Sequence, residues 1–277
     1  MKVTTIARNR RHSPNMTGND TAILERVKSE LVSMGAEVTA IEENEEIESD
    51  TDVVCHMTRT TATLGMLQRA EEKGVIVLNP TRAVNACSRK EFTTIFDRAG
   101  IPQPEFSIIE DKGLLEKLPY PAWIKNATGW SCHKDDVTFA KNALQAKECF
   151  TKMQERGEKS CIHSRHIAGD LIKFYGIGTE FIHCYYPDID NGKFGLEKIN
   201  GAPKHHPFDK DLLKETIRRA AKAIGTLIYG GDCIVEENGK VHIIDFNDFP
   251  SFSAIRDVAA KEIATLIMNC KRYERGR

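Results

Sequence analysis

Residues 230–253 read GGDCIVEENGKVHIIDFNDFPSFS, with an apolar run on either side of Asn238-Gly239. An Asn-Gly pair between two such runs is a strong signal for a tight β-hairpin. We therefore predict one strand over residues 232–236 and a second over residues 240–247, with the chain turning back between them.

Three oxygen-bearing side chains converge at one end of this predicted hairpin. Asp245 and Asn247 are two residues apart on the second strand, so their side chains point to the same face. Asp232 opens the first strand, and the turn folds it back beside them. Oxygen ligands without His or Cys suit Mg²⁺, which takes few protein ligands and binds substrate phosphates. The alternative is that these carboxylates are simply solvated at a strand end.

The same stretch resembles the metal-binding end of ATP-grasp enzymes. Their pattern is an Asp, 12 residues, an acidic residue, one spacer and an Asn, followed by a turn that contains Pro. This sequence has that spacing, with Asp245 at the position where Glu is commoner. The resemblance implies that Asp232, Asp245 and Asn247 hold the Mg²⁺ ions, or Mn²⁺ in their place, that bridge the phosphates of ATP.

Two upstream segments resemble the family's phosphate contacts in the same order. In NPTRAVNACSRKEFTTIFDRAGIPQP, residues 79–104, Lys90 matches a lysine that precedes the entry helix and contacts phosphate. Lys125 in PAWIK matches the second lysine for ATP. Residues 126–133 would fold over the phosphates, and Ser131 there would substitute for one of the glycines that the family often has.

Residues 160–173, SCIHSRHIAGDLIK, resemble the strand and turn between the two ATP-grasp subdomains. The resemblance implies a ribose contact for Asp170 and places Lys173, a catalytic candidate, facing the phosphates. Four consecutive residues are implied to meet the adenine through their backbone: Ser164, Arg165, His166 and Ile167. Arg165 departs from the family, which more usually has an acidic residue at this position.

The first 80 residues alternate strand-like and helical runs, which predicts a parallel sheet with helices on its faces. The predicted helix over residues 21–34 has Asn19 and Asp20 as candidate caps, and the predicted helix over residues 88–99 has a candidate capping box of Ser88 and Glu91. The predicted fold class is α/β. An N-terminal α/β domain (1–80) precedes an ATP-grasp fold with a central subdomain and its entry helix (81–166) and a C-terminal subdomain with the metal hairpin (167–277).

The charge balance and the cysteines restrict the class of protein. The chain has 39 Lys and Arg against 40 Asp and Glu, which argues against a general nucleic-acid binder and against a polybasic membrane anchor. The eight cysteines are scattered without a CxxC pair, as is typical of reduced thiols. No signal peptide and no apolar run of spanning length is recognisable, so we expect a soluble cytoplasmic protein without nucleic-acid or membrane partners.

The resemblance implies an ADP-forming ligase that activates a carboxylate with ATP for attack by an amine or a similar nucleophile. The substrates would be small-molecule or peptide carboxylates and amines, and a homodimer is left open because family members are often dimers. The candidates for orienting the acceptor carboxylate are Arg59, Lys198 and Arg256. Two alternatives remain: a kinase that acts on a hydroxyl, and a non-catalytic nucleotide-binding protein, which the single glycine of the phosphate loop, Gly129, would suit.

Overall fold

The computed structural model describes residues 1–12, 17–128, 133–188 and 196–274. Within these ranges the chain forms three four-stranded sheets, which follow one another along the sequence. The seven cysteines of the described ranges are all free thiols, as expected. Among the helices of the same ranges, none combines the length and the apolar character needed to cross a bilayer.

The N-terminal sheet is parallel, as predicted, with strand order β2-β1-β3-β4. Its strands are β1 (Lys2–Ile6), β2 (Glu37–Ile41), β3 (Val53–His56) and β4 (Ile76–Leu78), and its helices are α1 (Thr17–Ser33) and α2 (Thr61–Glu72). Because α1 begins at Thr17, Asn19 and Asp20 lie inside the helix, and the expectation that they cap it is wrong. Asp20 is buried and pairs instead with Arg8.

Two helices connect this sheet to the next one. The short α3 (Thr81–Ala86) was not predicted, and α4 (Arg89–Arg98) is the predicted entry helix. Ser88 precedes α4 with extended backbone but makes no capping hydrogen bond through its side chain, so the predicted capping box is wrong. The apolar side of α4 packs against the C-terminal sheet, where the rings of Phe96 and Phe246 meet edge to face.

The central sheet is antiparallel, with strand order β5-β8-β6-β7. Its strands are β5 (Phe106–Ile109), β6 (Ala122–Asn126), β7 (Val137–Ala140) and β8 (Cys161–Arg165). The helix α5 (Ala143–Glu155) contributes Phe150 and Met153 to the core beneath the sheet. Asn142 caps α5 by accepting a hydrogen bond from the backbone N–H of Gln145, so the helix begins at Ala143.

The C-terminal sheet is antiparallel, with strand order β10-β9-β11-β12. Its strands are β9 (Asp170–Ile177), β10 (Phe181–Tyr185), β11 (Ile228–Val235) and β12 (Val241–Asp248). The helix α6 (Lys210–Ile224) is followed by Gly225, whose φ of 83° stops the helix. Strand β11 therefore begins at Ile228, and Asp232 lies in the middle of that strand rather than opening it.

The last helix, α7 (Arg256–Glu274), returns to the N-terminal domain and packs against α1. Ile263 and Ile267 of α7 share one apolar core with Ile23 and Val27 of α1. The end of the chain thus covers one face of the first sheet, because that apolar face would otherwise be exposed to water. The domain boundaries at residues 80 and 166 stay predictions.

Candidate functional site

A cavity of about 330 Å³ lies between the central and C-terminal sheets and reaches the N-terminal domain at one end. Strands β6 and β8 contribute one wall, and β9, β11 and β12 form the opposite surface, which we call the floor. Alternation along the floor strands decides which side chains face the cavity: Leu171, Lys173 and Tyr175 of β9 do so, whereas Ile172 and Phe174 point into the core behind the sheet.

The strand register arranges the floor in three cross-strand rows. The apolar row pairs Leu171 of β9 with Ile234 of β11. The next two rows each run across all three strands. The charged row consists of Lys173, Asp232 and Asp245, and the terminal row consists of Tyr175, Gly230 and Asn247. The floor therefore changes from apolar to charged to polar along one direction.

The charged row brings the predicted metal ligands together. Asp232 and Asp245 are direct cross-strand partners, and the side-chain amide of Asn247 donates to Oδ2 of Asp245 at 3.0 Å. Lys173 Nζ lies 3.1 Å from Oδ1 and 3.3 Å from Oδ2 of Asp232. The geometric part of the prediction, that these three oxygen-bearing side chains converge, agrees with the hairpin register; their role as ligands stays a prediction.

Two cations from outside the floor face the same carboxylates. Lys125 of β6 donates from Nζ to the carbonyl oxygen of Ile244 at 2.8 Å, and Arg89 at the start of α4 has Nη2 4.0 Å from Oδ1 of Asp245. Burial, together with the charge of Arg89, lowers the pKa of Lys125 to about 8 despite the opposing effect of Asp245 and Asp232. Lys125 therefore loses its proton close to the upper end of the physiological range.

The carboxyl group of Asp245 is held in its ionised form. Burial alone would raise its pKa, but Arg89 and Lys125 nearby, the hydrogen bond from Asn247 and the charge of Lys173 together lower the pKa below its ordinary value. A half-buried carboxylate with three cationic side chains nearby suits a site that binds a phosphate chain together with a metal cation.

Arg89 is the functional candidate that the sequence analysis missed. The predicted phosphate contact was its neighbour Lys90, which does not line the cavity and has Nζ 3.9 Å from Oε1 of Glu110 on the surface. One residue on a helix turns the side chain by about 100°, so the two side chains point in different directions. Helical periodicity offered a signal, because Arg89 is spaced with Phe92 and Phe96 on the buried side of α4.

The apolar end of the cavity has an aromatic wall. Trp123 of β6 lies two residues before Lys125 and lines the cavity with it, opposite the apolar row. The indole Nε1–H donates to Nδ1 of His166 at 3.1 Å, and the Trp123 ring meets the ring of Phe139 edge to face at 5.2 Å between centroids. His166 does not line the cavity; it fixes the ring of Trp123, and burial lowers its pKa, which favours the neutral acceptor.

The other predicted base contacts divide into two groups. Ser164, Arg165 and Ile167 line the cavity, and their contact with adenine stays a prediction. Ser131 lies outside the described residues. The placement of Asp170 contradicts the predicted ribose contact, because its two carboxylate oxygens accept the backbone N–H groups of Lys204 and His206, both at 2.7 Å.

The error over Asp170 has a simple geometric cause. Asp170 and Lys173 are three residues apart on β9, and an odd spacing on a strand puts two side chains on opposite faces. Since Lys173 faces the cavity, Asp170 lies behind the sheet, where its buried carboxylate anchors the chain before α6. This odd spacing means that Asp170 and Lys173 cannot both face the cavity, so the sequence alone could have excluded either the predicted ribose contact or the predicted phosphate contact.

The far end of the cavity, beyond the terminal row, is formed by the N-terminal domain and the turn after β12. Of the three predicted acceptor-orienting cations, Arg59 lines this end, while Lys198 and Arg256 do not line the cavity. Arg256 donates from Nη2 to Oδ1 of Asn19 at 2.8 Å, which ties α7 to α1. Arg8, which was not predicted, lines this end beside Arg59 and close to Ser251.

The residues of the charged row fit a hard divalent cation bound with a phosphate chain. In the described part of the chain, no three His, Cys, Asp or Glu side chains gather into a self-sufficient metal site. The charged row offers two carboxylates, and Asn247 of the terminal row offers one amide oxygen. This set suits Mg²⁺ because that ion completes its coordination with water and substrate phosphates. Lys173 and Lys125 supply further positive charge on either side.

Comparisons with known proteins give a consistent fold. No protein-family model and no curated protein matches the sequence. The D-alanine–D-alanine ligase of Bacillus anthracis complexed with ATP is 14% identical and superposes with a TM-score of 0.74 over 100% of this chain and 99% of that one. VanG D-Ala:D-Ser ligase from Enterococcus faecalis is 12% identical, with a TM-score of 0.70 over 96% of this chain and 98% of its own.

A third solved structure names the fold directly. A RimK domain protein ATP-grasp from Sphaerobacter thermophilus is 14% identical, with a TM-score of 0.69 over 96% of this chain and 98% of its own. At these identities a likeness defines the fold rather than the activity. All three superpositions extend over nearly the whole of both chains, so the shared architecture includes the N-terminal sheet as well as the two sheets around the cavity.

Proposed function

We propose that this chain, which has the ATP-grasp fold, is an ADP-forming ligase that uses Mg-ATP to join a carboxylate to an amine or a similar nucleophile. One observation carries the proposal: the floor of one cavity changes from the apolar row to the charged row of Lys173, Asp232 and Asp245, and the same cavity is lined by Trp123 and by two arginines of the N-terminal domain. A nucleotide has the same order of parts, with a flat base at one end and a reactive phosphate at the other.

The three rows give the nucleotide a direction. The base lies between Trp123 and the apolar row, next to the backbone of Ser164 and Ile167. The phosphates lie over the charged row, where Asp232, Asp245 and Asn247 would hold Mg²⁺. The terminal phosphate then faces the terminal row, next to the end of the cavity that is proposed for the acceptor carboxylate.

The proposed reaction has two steps. A carboxylate oxygen bonds to the γ-phosphorus as the bond to ADP breaks, and the amine nitrogen then bonds to the carbonyl carbon as phosphate leaves and the amine gives up a proton. Lys125, Arg89 and Lys173 stabilise the charge on the transferred phosphoryl group, because their hydrogen bonds and ion pairs fix them in place before the reaction. Bound Mg²⁺ would neutralise phosphate oxygens and polarise the γ-phosphorus.

The acceptor end is proposed to lie against Arg59 and Arg8. These guanidinium groups line the cavity beyond the terminal row, so they could orient an anionic acceptor. The roles suggested for Lys198 and Arg256 lose their geometric support, since neither lines the cavity.

The direct test is titration calorimetry with ATP, with and without Mg²⁺, followed by an assay for ADP and free phosphate. The assay would use a panel of amino acids, including D-alanine, and short peptides as carboxylates and amines. Mg²⁺-dependent binding followed by release of both ADP and phosphate with an acceptor pair supports the ligase. A phosphorylated product without free phosphate would indicate a kinase, binding without turnover on any substrate would indicate a nucleotide-binding protein, and no binding would refute the proposal.

Arg89 and Lys90 provide a matched pair for testing the phosphate contacts. We expect Arg89→Met to weaken Mg-ATP binding by about 10- to 100-fold, since hydrogen bonds to charged groups contribute roughly 1.5–3 kcal/mol. Lys90→Met should change the affinity by less than about threefold, because a half-exposed lysine in a surface ion pair contributes little.

Calorimetry on both variants measures the difference, and Arg89→Lys should restore part of the affinity. Thermal unfolding is needed as a control, because Arg89 also donates to the carbonyl and side-chain oxygens of Asn126. A larger loss for Lys90→Met than for Arg89→Met would contradict the assignment.

Trp123 should report nucleotide binding by its fluorescence. The chain has two tryptophans, and Trp130 lies outside the described residues. In a Trp130→Phe background we expect Mg-ATP to change the emission of Trp123, because the base would lie against the indole. We expect Trp123→Ala to weaken binding by about tenfold or more, since base–aromatic stacking contributes roughly 1–3 kcal/mol. Unchanged emission at saturating Mg-ATP, with binding verified by calorimetry, would place the base elsewhere.

A further inference from the structure

Asp248, the last residue of β12, is buried against two arginines of the N-terminal domain. Its Oδ1 accepts from Arg59 Nε at 3.0 Å and from Arg59 Nη2 at 2.6 Å, and Arg8 Nη2 lies 3.7 Å from Oδ2. The three side chains are each at most 6% exposed. Asp248 follows the predicted metal ligand Asn247 directly, so this contact lies one residue from the charged site.

The same arginines hold the backbone of the turn that follows β12. Arg8 Nη2 donates to the carbonyl oxygen of Phe249 at 2.9 Å, and Nη2 of both arginines lies 3.4 Å from the carbonyl oxygen of Asp248. Phe249 and Phe252 are fully buried with φ of 30° and 48°, in the left-handed region that large side chains avoid. Such backbone persists only where its surroundings fix it, and here the arginines and the apolar core do so.

The held turn forms part of the far end of the cavity. Pro250 and Ser251 lie between the two phenylalanines and line the cavity beside Arg8 and Arg59. The arginines come from the carboxyl ends of β1 and β3, which are adjacent parallel strands and therefore end at the same edge of the N-terminal sheet. One contact thus joins the metal hairpin, the turn and the N-terminal domain.

The charges in this contact are balanced and fixed. Burial alone would raise the pKa of Asp248, but Arg59 and Arg8 lower it below its ordinary value. Burial and the neighbouring Arg59 lower the pKa of Arg8 to about 10, so Arg8 stays charged at neutral pH. Asp20 supplies a second carboxylate, 3.4 Å from Arg8 Nη1. A buried ion pair contributes little to the free energy of unfolding compared with apolar residues of similar volume. This contact is therefore better explained by the groups that it positions than by its contribution to stability.

We propose that Asp248 is a positioning residue that couples the metal hairpin to the acceptor end of the cavity by holding Arg8, Arg59 and the turn over residues 249–252. The inference rests on the proposed function, because it assigns the acceptor to this end. It predicts that binding of Mg-ATP, which fixes Asn247, also reduces the local motion of Asp248 and of the carboxyl ends of β1 and β3. Asp248 lines the cavity, and its carboxylate accepts hydrogen bonds from Arg59 of the N-terminal domain.

The test compares Asp248→Asn with Glu71→Gln as a matched loss of a carboxylate. Glu71 accepts from the backbone N–H and the hydroxyl of Thr81 at 2.9 and 2.6 Å, and it does not line the cavity. Calorimetry gives the affinity for Mg-ATP, and hydrogen exchange of the amides around residues 6–8 and 56–59 gives the coupling.

In the wild type and in Glu71→Gln we expect Mg-ATP to slow exchange at these amides by about tenfold or more, because local opening is suppressed. In Asp248→Asn the affinity for Mg-ATP should stay within about threefold, while the slowing is lost. Once an acceptor pair that the enzyme turns over is found, KM for the acceptor should be about tenfold higher in Asp248→Asn than in the wild type, while KM for ATP stays unchanged. A displacement of the acceptor site by about 1 Å is enough for a loss of this size. If Asp248→Asn does not fold, Arg59→Lys, which keeps the charge but cannot make the two-nitrogen contact, should show the same pattern.

Each failure has a different signature. The positioning role would be overturned if Mg-ATP still slows amide exchange in Asp248→Asn. It would also be overturned if this variant loses affinity for Mg-ATP in proportion to its loss of thermal stability. If the wild type binds Mg-ATP but turns over no acceptor pair, the ligase assignment fails while the exchange experiment still decides the coupling. If the wild type does not bind Mg-ATP, both proposals are overturned together.

Discussion

Asp245→Asn should lower turnover by on the order of 10³-fold, since changes one shell further from a metal already cost about 10- to 100-fold. Asp245 lies at the centre of the charged row, next to Asp232 and Asn247, and faces Arg89 from α4. The substitution keeps the shape of the side chain and removes its charge. In this variant we expect that Mg²⁺ no longer strengthens the binding of ATP. The reason is that Asp232 would be the one charged side chain left among the three proposed ligands, which is too little charge to hold the cation.

The fold should tolerate the substitution, because Asp245 lies on the cavity floor and packs no apolar core. Glu236→Gln is the matched control: it lies on the same hairpin, bonds to His242 at 2.8 Å and is far from the charged row in the strand register. Calorimetry with and without Mg²⁺, with thermal unfolding of both variants, measures the effect. A large loss of thermal stability in Asp245→Asn with an unchanged dependence on Mg²⁺ would contradict the metal role.

Lys125→Met should weaken Mg-ATP binding by about 10- to 100-fold and remove its dependence on pH, since a charged hydrogen bond is lost. The pKa of Lys125 is lowered to about 8, so the side chain is charged below that pH and neutral above it. A phosphate binds the charged form better. The affinity of the wild type should therefore be constant below pH 8 and fall as the pH rises beyond it, while the affinity of Lys125→Met should be low throughout.

Lys125→Arg separates the charge from the titration. Arginine stays protonated over the whole range, so the fall above pH 8 should disappear while part of the affinity remains. Calorimetric titrations between pH 6.5 and about 9.5 would measure this, at an ionic strength held constant because salt screens charged contacts. If the affinity of Lys125→Met falls above pH 8 as in the wild type, another group is responsible for the titration.

The hairpin shows how far local sequence could define the site. Asp232, Asp245 and Asn247 are within 16 residues of one another, and the two-residue side-chain period puts Asp245 and Asn247 on one face. A register shift between Asp232 and Cys233 then sets Asp232 directly opposite Asp245, which the turn and the period alone do not predict. Local patterns also predicted the parallel sheet and the helices of the first 80 residues. Even the errors over Asp170 and Lys90 had local signals against them, in the odd spacing on β9 and the apolar periodicity of α4.

The sequence by itself thus determined the two carboxylates and the amide of the floor, because the contacts that place them lie within one hairpin. Only the tertiary structure placed Arg89 against Asp245, the Trp123 ring against His166, and Asp248 against Arg59, which is 189 residues away. These pairs depend on how separate sheets pack on one another, and no periodicity within one segment encodes the partner in another. The walls and the far end of the cavity follow from packing across the fold, while the chemistry of its floor follows from local backbone geometry.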